Sequence, residues 1–357
     1  MDGARYSIPG EKAMKAIFFE QHGGIEVLKF AELPDPQPGP GQALIKVKAV
    51  ALNHLDIWVR RGWHGLRLEL PHISGSDITG EIVSVNAESV WSPGTKVIVN
   101  PGVSTSEDEW TRRGEESLSP GYRIIGEQLR GGLAQYVVVP CENVFKAPEG
   151  WSEEEAAAPL LTGVTCWRML FKRAALRPGE SVLVVGAGGG VNSLAIAFAR
   201  AAGATVYALA GSKEKAVKAR ELGATEVINY QEVENWPIEV LKLTKGRGVD
   251  VIVDNVMGKT FSASLRAVTR GGRIVTVGNT TGHEVHFDNR LVFTKQISLI
   301  GSTMGSKQDF IDAIQFMLKH NIKAPIDCIE PLSQGIRMIS RLEEGRQFGK
   351  IILRPWG

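Results

Sequence analysis

The chain has 357 residues, long enough for two domains with their own cores and too long for a single small module. Its 41 lysines and arginines balance 39 aspartates and glutamates and are interspersed, so nothing calls for nucleic acid or an anionic membrane, and a small-molecule substrate is the partner to expect. Three cysteines, Cys141, Cys166 and Cys328, lie far apart and never form a CxxC pair, which argues against a disulfide framework or a thiolate metal knuckle and fits a reducing, cytoplasmic compartment.

Residues 1–13 are polar, with no apolar core segment, and read as a loose extension; no run approaches the roughly 18 apolar residues of a membrane span. Residues 14–19 read as the first strand. From there to residue 148 the sequence is a series of short β runs, ALIKVKAVAL, GEIVSVN, TKVIVN and LAQYVVVP, separated by Pro, Gly and Asp turns, which predicts a compact, mostly-β domain. A helical stretch over 152–175 follows. The pattern then changes to SVLVVG, an amphipathic helix, TVYALAG, a second helix, EVIN, DVIVDN, RIVTVG and ISLIG. Continuous apolar strands alternating with helices predict a doubly wound parallel sheet covered on both faces. A helix over 309–320 and a strand over 350–354 come last.

The run at 181–185 leads straight into Gly186-Ala187-Gly188-Gly189-Gly190-Val191-Asn192 and the helix SLAIAFARAAGA. Strand, glycine turn and helix in that order are the context of a dinucleotide fingerprint: glycines let the backbone approach a pyrophosphate, and the helix N-terminus stabilises its charge. Gly186, Gly189, Gly190 and Val191 are assigned to the cofactor on this ground. Asn192 replaces the last glycine, and is expected either to loosen helix–strand packing or to add a donor near the phosphates. About 20 residues on, an NAD enzyme places Asp or Glu on the ribose 2′-OH. Here the second strand ends Ala208-Leu209-Ala210-Gly211-Ser212-Lys213, with Lys215 nearby. No carboxylate repels a 2′-phosphate, while the Ser212 hydroxyl and the Lys213 ammonium can bind one, so NADPH/NADP is favoured. NADH stays open if these are only solvated turn residues.

Several segments together, Ala51-Leu52-Asn53-His54-Leu55-Asp56, Gly75-Ser76-Asp77, Gly131-Gly132-Leu133-Ala134-Gln135-Tyr136-Val137, the glycine turn and Phe348-Gly349-Lys350-Ile351, resemble the medium-chain dehydrogenase/reductase superfamily, in its quinone-oxidoreductase-like branch. The resemblance runs from Met14 to Pro355. It implies an α/β protein: a GroES-like, mostly-β catalytic domain over 14–162 and 304–357, and a Rossmann NADP-binding domain over 163–303. It also implies Thr165 near the nicotinamide ribose or phosphates, Tyr230 near the adenosine end, Asn255, Val277 and Gly278 along the cofactor, and Lys350 on the phosphate side. A homodimer or homotetramer is expected, because residues 296–301 resemble the edge strand that family dimers pair.

Zinc alcohol dehydrogenases of this superfamily hold their catalytic metal with a Cys, a His and a later Cys. The matching positions here are Asn53, Ser76 and Leu161, and amide, hydroxyl and isobutyl groups cannot replace two thiolates and an imidazole. A structural zinc is often held by four cysteines spaced C-x2-C-x2-C-x7-C, where this chain has Thr105, Asp108, Thr111 and Ser119. That lobe is expected to be mobile, and held by hydrogen bonds or by Glu107, Asp108 and Glu109 with Arg112 and Arg113. His54, His72, Asp56 and Asp77 are the salvage ligands in reach of the first site, and His283 with His286 lacks a partner at ligand spacing, so no metal is expected.

Without a Lewis acid, hydride transfer to an unactivated ketone loses transition-state stabilisation. Quinones, α,β-unsaturated carbonyls and activated aryl ketones delocalise the incoming charge themselves, and ask the protein to position NADPH and donate a hydrogen bond. Asn53 is the expected donor, against the alternative of an Asn that fixes its own turn. Solvent, His54 or the Asp56 neighbourhood supplies the proton. There is no nucleophile elbow to suggest hydrolysis, and Trp58, Trp63 and Trp110 receive no role. Two alternatives stand beside an NADPH-dependent reductase: an alcohol dehydrogenase or ketone reductase with a non-standard metal site, and an NADPH-binding structural or regulatory protein with little turnover.

Overall fold

The computed structural model describes residues 13–86, 90–282 and 284–356. Residues 1–12 of the expected extension, and His283 of the histidine pair, lie outside the described residues.

The first unit takes the chain as far as Leu161 and again from Ile326. β1 (Ala13–Phe18) pairs antiparallel with β2 (Lys29–Pro34). Alternation along QALIKVKAVA makes β3 (Gln42–Ala51), which buries Ala43, Ile45 and Val47 on one face and then all of Ala49, Val50 and Ala51 where the strand enters the core. α1 (His54–Arg61) follows at once, then β4 (Asp77–Asn86), β5 (Lys96–Val99), β6 (Gly102–Ser104), α2 (Glu109–Arg112), β7 (Tyr122–Ile124), β8 (Tyr136–Pro140), β9 (Val144–Lys146), α3 (Glu153–Ala157) and α4 (Leu160–Trp167). β6 and β7 form a ribbon of their own that carries the lobe 105–121.

The second unit, Thr162–Pro325, continues α4 through a π-helical turn over Arg168–Arg173. It then alternates β10 (Ser181–Val185), α5 (Gly190–Ala201), β11 (Thr205–Ala210), α6 (Lys213–Glu221), β12 (Glu226–Asn229), α7 (Trp236–Leu243), β13 (Val249–Asp254), α8 (Phe261–Ala267), β14 (Val268–Thr276), α9 (Asn289–Lys295), β15 (Ser298–Gly301) and α10 (Lys307–Lys319). Its six strands are all parallel in the order β12-β11-β10-β13-β14-β15. Numbered by appearance that order is 3-2-1-4-5-6, the Rossmann arrangement, in which order reverses beside β10 and a crevice opens at the carboxyl ends of the strands.

Residues 304–325 belong to this second unit, a correction to their expected place with the first. α10 is held there by a buried ion pair between Asp309 and Arg168 (2.9 Å), and by Phe316, whose ring packs on Trp167, Phe171 and Phe198. The chain then returns to the first unit as β16 (Ile326–Pro331), α11 (Gly335–Glu343) and β17 (Lys350–Arg354). β17 sits between β16 and β3, completing the sheet order β16-β17-β3-β4-β5-β9, with β8 also on β3. Among the described residues no helix is long and apolar enough to cross a membrane.

The four lobe positions without cysteine are tied by hydrogen bonds. Asp108 Oδ1 accepts from the N–H groups of Trp110 (2.9 Å) and Thr111 (3.0 Å), and its Oδ2 from the Ser119 hydroxyl (2.6 Å). Thr111 Oγ1 accepts in turn from the Asp108 N–H (2.8 Å), and Thr105 Oγ1 donates to Gly121 O (2.6 Å). The ion pairs Arg112–Glu107 (3.2 Å) and Arg113–Glu109 (3.5 Å) are exposed, and contribute about 0–1 kcal/mol each. Of the two staples the sequence offered, the hydrogen bonds hold the lobe. Asp108→Ala is therefore expected to speed amide exchange at Trp110, Thr111 and Gly121 and proteolysis within 105–121, leaving the Rossmann sheet protected. Unchanged exchange at those amides would place the staple elsewhere.

Candidate active site

β3 ends at Ala51, and two residues later Asn53 begins α1 in extended conformation. The Asn53 N–H donates to Asp56 Oδ2 (2.7 Å), and the Gly75 N–H donates to Asp56 Oδ1 (2.9 Å), so one carboxylate joins the start of α1 to the approach of β4. The Asn53 amide group donates to Asp77 Oδ2 (3.0 Å) and more weakly to Ala51 O (3.4 Å). Asp77 Oδ1 accepts from the Leu161 N–H (2.6 Å). Lys350, at the start of β17, closes the network: its ammonium donates to Asp77 Oδ2 (2.8 Å) and Asn53 Oδ1 (2.5 Å). Lys350 is 2% exposed, Asp77 0% and Asn53 6%, so this is an interior ion pair whose polar atoms are matched with one another.

Two assignments change. Asn53 was expected to donate to substrate or cofactor, yet its amide hydrogens face Asp77 and Ala51. Lys350 was expected at a phosphate, yet its ammonium is spent on Asp77 and Asn53 inside the first unit. Neither group is presented to solvent. From the sequence Asp77 is part of the resembling segment Gly75-Ser76-Asp77 and a spare metal ligand; the structure adds its carboxylate as the partner that a buried lysine requires.

Asn53, Ser76 and Leu161 stand at the catalytic-zinc positions of the resemblance. Asn53 Oδ1 already accepts from an ammonium, Leu161 contributes only a backbone N–H, and a zinc ion placed on Asn53 would lie against the positive charge of Lys350. These residues do not fit the metal. His72 is no replacement: its backbone bridges to Phe19, its Nε2 lies 3.5 Å from Gly126 O, and burial pushes its pKa down to about 4. Among the described residues no group of three His, Cys, Asp or Glu side chains could hold a metal ion.

His54 is the half-buried member of the predicted set, its ring 6.3 Å from that of Trp58. Burial, and then the Lys350 charge, lower its pKa, so the ring is neutral at neutral pH. Burial pushes the Asp56 carboxyl up to about 7, against the pull of the Asn53 and Gly75 N–H groups and of Lys350. Burial likewise raises Asp77, with Lys350 as the chief opposing influence.

In the second unit, β10 delivers the glycine turn to the switch point of the sheet. Gly186 has φ +83°, a conformation that disfavours any side chain, and Gly189 is the N-cap of α5 without a side-chain cap. The first N–H groups of α5, from Gly190 and Val191, have no intrahelical acceptor by the geometry of a helix start. An uncapped N-terminus beside a glycine turn fits a pyrophosphate, and the residues present therefore suit a dinucleotide. Asn192 neither loosens the packing nor points a donor at a phosphate: its amide donates to Val185 O (2.7 Å) and Gly186 O (2.9 Å). Asn255 and Val277 meet nearby, Asn255 Oδ1 accepting from the Val277 N–H (2.8 Å), and Gly278 is held by Thr276 Oγ1. Thr165 is buried, with its hydroxyl 3.8 Å from Met304 Sδ.

At the end of β11, Ser212 caps α6 by accepting from the Lys215 N–H (3.2 Å), and Lys213 is exposed, 3.6 Å from Glu232. A side chain at Gly211 would strike the Tyr230 hydroxyl, 2.4 Å from the place of its Cβ, so glycine there lets Tyr230 lie against the strand end.

The Asp56 carboxyl has a higher pKa folded than unfolded, so folding takes up a proton between the two values. Its stabilising contribution is complete below about pH 4, is lost as pH rises towards 7, and amounts to about 4 kcal/mol at the upper limit. Asp56→Asn is expected to reduce the fall in melting temperature between acid and neutral pH relative to the unaltered chain. An equal fall in both would mean that position 56 carries no shifted group.

Residues 39–149 match the family model of the alcohol dehydrogenase GroES-like domain, and residues 190–319 that of the zinc-binding dehydrogenases. A NAD-dependent alcohol dehydrogenase of Saccharolobus solfataricus is 32% identical over 92% of this chain and 96% of its own length. A crotonyl-CoA reductase of Streptomyces collinus is 30% identical over 91% of this chain and 81% of its own. Among solved structures, a NAD-dependent alcohol dehydrogenase superposes with a TM-score of 0.91 at 40% identity, covering 96% of this chain and 99% of that one.

Proposed function

The chain belongs to the medium-chain dehydrogenase/reductase superfamily and is an oxidoreductase working with a nicotinamide dinucleotide; from that premise we propose that it reduces conjugated or activated carbonyl compounds, quinones, α,β-unsaturated carbonyls or aryl ketones, with NADPH and without zinc. The observation that carries this is the Lys350 ammonium seated on Asn53 and Asp77. A cation that belongs to the protein and is already neutralised by a carboxylate cannot take over the alkoxide-stabilising role of a metal, so the substrate must spread its own developing charge. The name of the relative called crotonyl-CoA reductase, an enzyme acting on an unsaturated acyl group, supports that class.

The bound dinucleotide supplies the hydride. The glycine turn and the start of α5 would hold its pyrophosphate, and Asn255, Val277 and Gly278 are the further residues assigned to the dinucleotide. His54, with a neutral ring, can donate one hydrogen bond towards a substrate oxygen while accepting another. Asp56 acts on the backbone, holding Asn53 and Gly75 in place. Support for NADPH is the end of β11, which passes through Gly211 to Ser212 with no Asp or Glu before the N-cap of α6; Lys213 and Lys215 flank Glu214 in the helix's first turn, and Tyr230 lies beside Gly211. The names of the alcohol dehydrogenase relatives make NADH the competing cofactor.

Cys141, Cys166 and Cys328, each a thiol outside any disulfide, suit work in a reducing cytoplasm. The edge strand β15, which among the described residues pairs with β14 alone and leaves Leu299 exposed, is the proposed seam of a homodimer or homotetramer.

The test is nicotinamide absorbance with purified protein against a panel of quinones, enones, aryl ketones and simple alcohols, with NADPH and NADH in parallel. Turnover of conjugated acceptors with NADPH is expected; turnover confined to simple alcohols would overturn the proposal. Ser212→Asp puts a carboxylate where a 2′-phosphate would lie, and should move the NADPH/NADH ratio of kcat/KM towards NADH by about ten-fold or more. An unmoved ratio would remove the Ser212 turn from cofactor choice.

A further inference from the structure

We propose that Asn192 and Asn255 form a buried amide relay that locks the pyrophosphate turn to the loop after β14, making both side chains positioning residues for the dinucleotide. The proposal rests on the assignment of this crevice to a nicotinamide dinucleotide.

Asn192 stands at the last position of the glycine fingerprint, one turn into α5. Its side chain folds back beneath the turn, and its amide hydrogens are taken by the carbonyls of Val185 (2.7 Å) and Gly186 (2.9 Å), the last of β10 and the first of the turn. Asn192 Oδ1 accepts from Asn255 Nδ2 (2.7 Å), just past the end of β13. Asn255 Oδ1 accepts from the Val277 N–H (2.8 Å), just past the end of β14. The two asparagines are 5% and 8% exposed. The relay thus crosses the carboxyl ends of β10, β13 and β14, three neighbours in the sheet.

Its polarity has one solution. The ends are backbone groups, two carbonyls that can only accept and one N–H that can only donate, so the Asn192 amide hydrogens must face the turn and Asn255 Oδ1 must face Val277. The middle contact then has to run from Asn255 Nδ2 to Asn192 Oδ1. Two further backbone bonds follow the same seam: Thr280 N–H to Asn255 O (3.2 Å) and Thr281 N–H to Val256 O (3.1 Å). Glycine at 192 would leave the Val185 and Gly186 carbonyls and the Asn255 amide without these partners in a buried place, and the loop 277–281 would lose its link to the turn. The turn and the loop therefore keep their spacing before the dinucleotide arrives, and binding need not order them.

The test uses the whole protein with Asn192→Gly, Asn255→Ala and the double substitution, with melting temperatures recorded to check folding. Asn192→Ala stands in if the glycine variant unfolds. NADPH dissociation constants are measured by fluorescence titration, and amide exchange at Val277 is followed in the cofactor-free protein. Each single change should weaken NADPH binding about five-fold or more, raising KM for NADPH while kcat at saturation stays within about two-fold. The double variant should bind no worse than the weaker single one, because either change breaks the same relay. Asn192→Gly should also speed exchange of the Val277 N–H, a group Asn192 does not touch. Multiplicative losses in the double variant, or tight NADPH binding by Asn192→Gly with Val277 still protected, would overturn the relay. An unaltered chain that binds neither NADPH nor NADH overturns the cofactor assignment instead, and the Val277 exchange, measured without cofactor, then decides the relay by itself.

Discussion

Lys350 lies 273 residues from Asp77 and 297 from Asn53 in sequence, and all three meet in the interior of the first unit. An ammonium and a carboxylate withdrawn from water are tolerated only when paired and surrounded by hydrogen bonds, and losing one partner strands the other at a cost of about 3–5 kcal/mol. The Asp77 carboxylate satisfies this by accepting from Lys350, from the Asn53 amide and from the Leu161 N–H. Four separate stretches of chain are joined in consequence: β17, the start of α1, the start of β4 and the start of α4. β17 pairs with β3 at Ile352 and Leu353 and buries Ile351 and Leu353 in the core, and the ion pair joins the same strand to α1, β4 and α4. A second tie lies nearby, where the buried Arg60 of α1 grips both oxygens of Glu343 on α11 (2.8 and 3.1 Å).

The two places at which the family resemblance puts zinc share a logic. A zinc site is a cation surrounded by anionic or neutral lone pairs. Here the centre of each is a carboxylate surrounded by donors: Asp77 with Lys350, the Asn53 amide and the Leu161 N–H, and Asp108 with the Trp110 and Thr111 N–H groups and the Ser119 hydroxyl. The polarity is inverted while the geometric job, pinning a turn or joining strand ends, is kept. For the catalytic position the inversion has a chemical consequence, since a neutralised internal cation offers nothing to an alkoxide. Acceptors that carry their own charge follow from that, as does the modest role left to His54.

The fold was legible because its signals are local. The apolar strands of the second unit alternate with helices inside windows of a few tens of residues, and SVLVVGAGGGVN states strand, turn and helix in one line, which β10 and α5 reproduce. The missing ligands at Asn53, Ser76 and Leu161 were legible too, since absence of a thiolate is a property of one residue. What replaced them was not. The partner of Lys350 is set by the return of β17 to the sheet, and nothing near Phe348-Gly349-Lys350 names Asp77. The role of Asn192, neither of the two expected for it, was not legible, because its acceptors, Val185 O and Gly186 O, are backbone, and its partner Asn255 is 63 residues away. The boundary at 304–325 was missed for a similar reason: α10 owes its place to Arg168 and the Phe171–Phe198–Phe316 cluster, contacts across more than a hundred residues.

At the catalytic-zinc position of the resemblance, the Lys350 ammonium, paired with Asp77, engages Asn53 Oδ1 and leaves that oxygen unavailable to a metal. Crystals grown with zinc and NADPH, with diffraction recorded on both sides of the zinc absorption edge, test it most directly. Density is expected for Lys350 Nζ bridging Asn53 Oδ1 and Asp77 Oδ2, with no anomalous peak beside Asn53, Ser76 or Leu161. A zinc peak coordinated by Asn53 or Asp77, with Lys350 turned away, would contradict it.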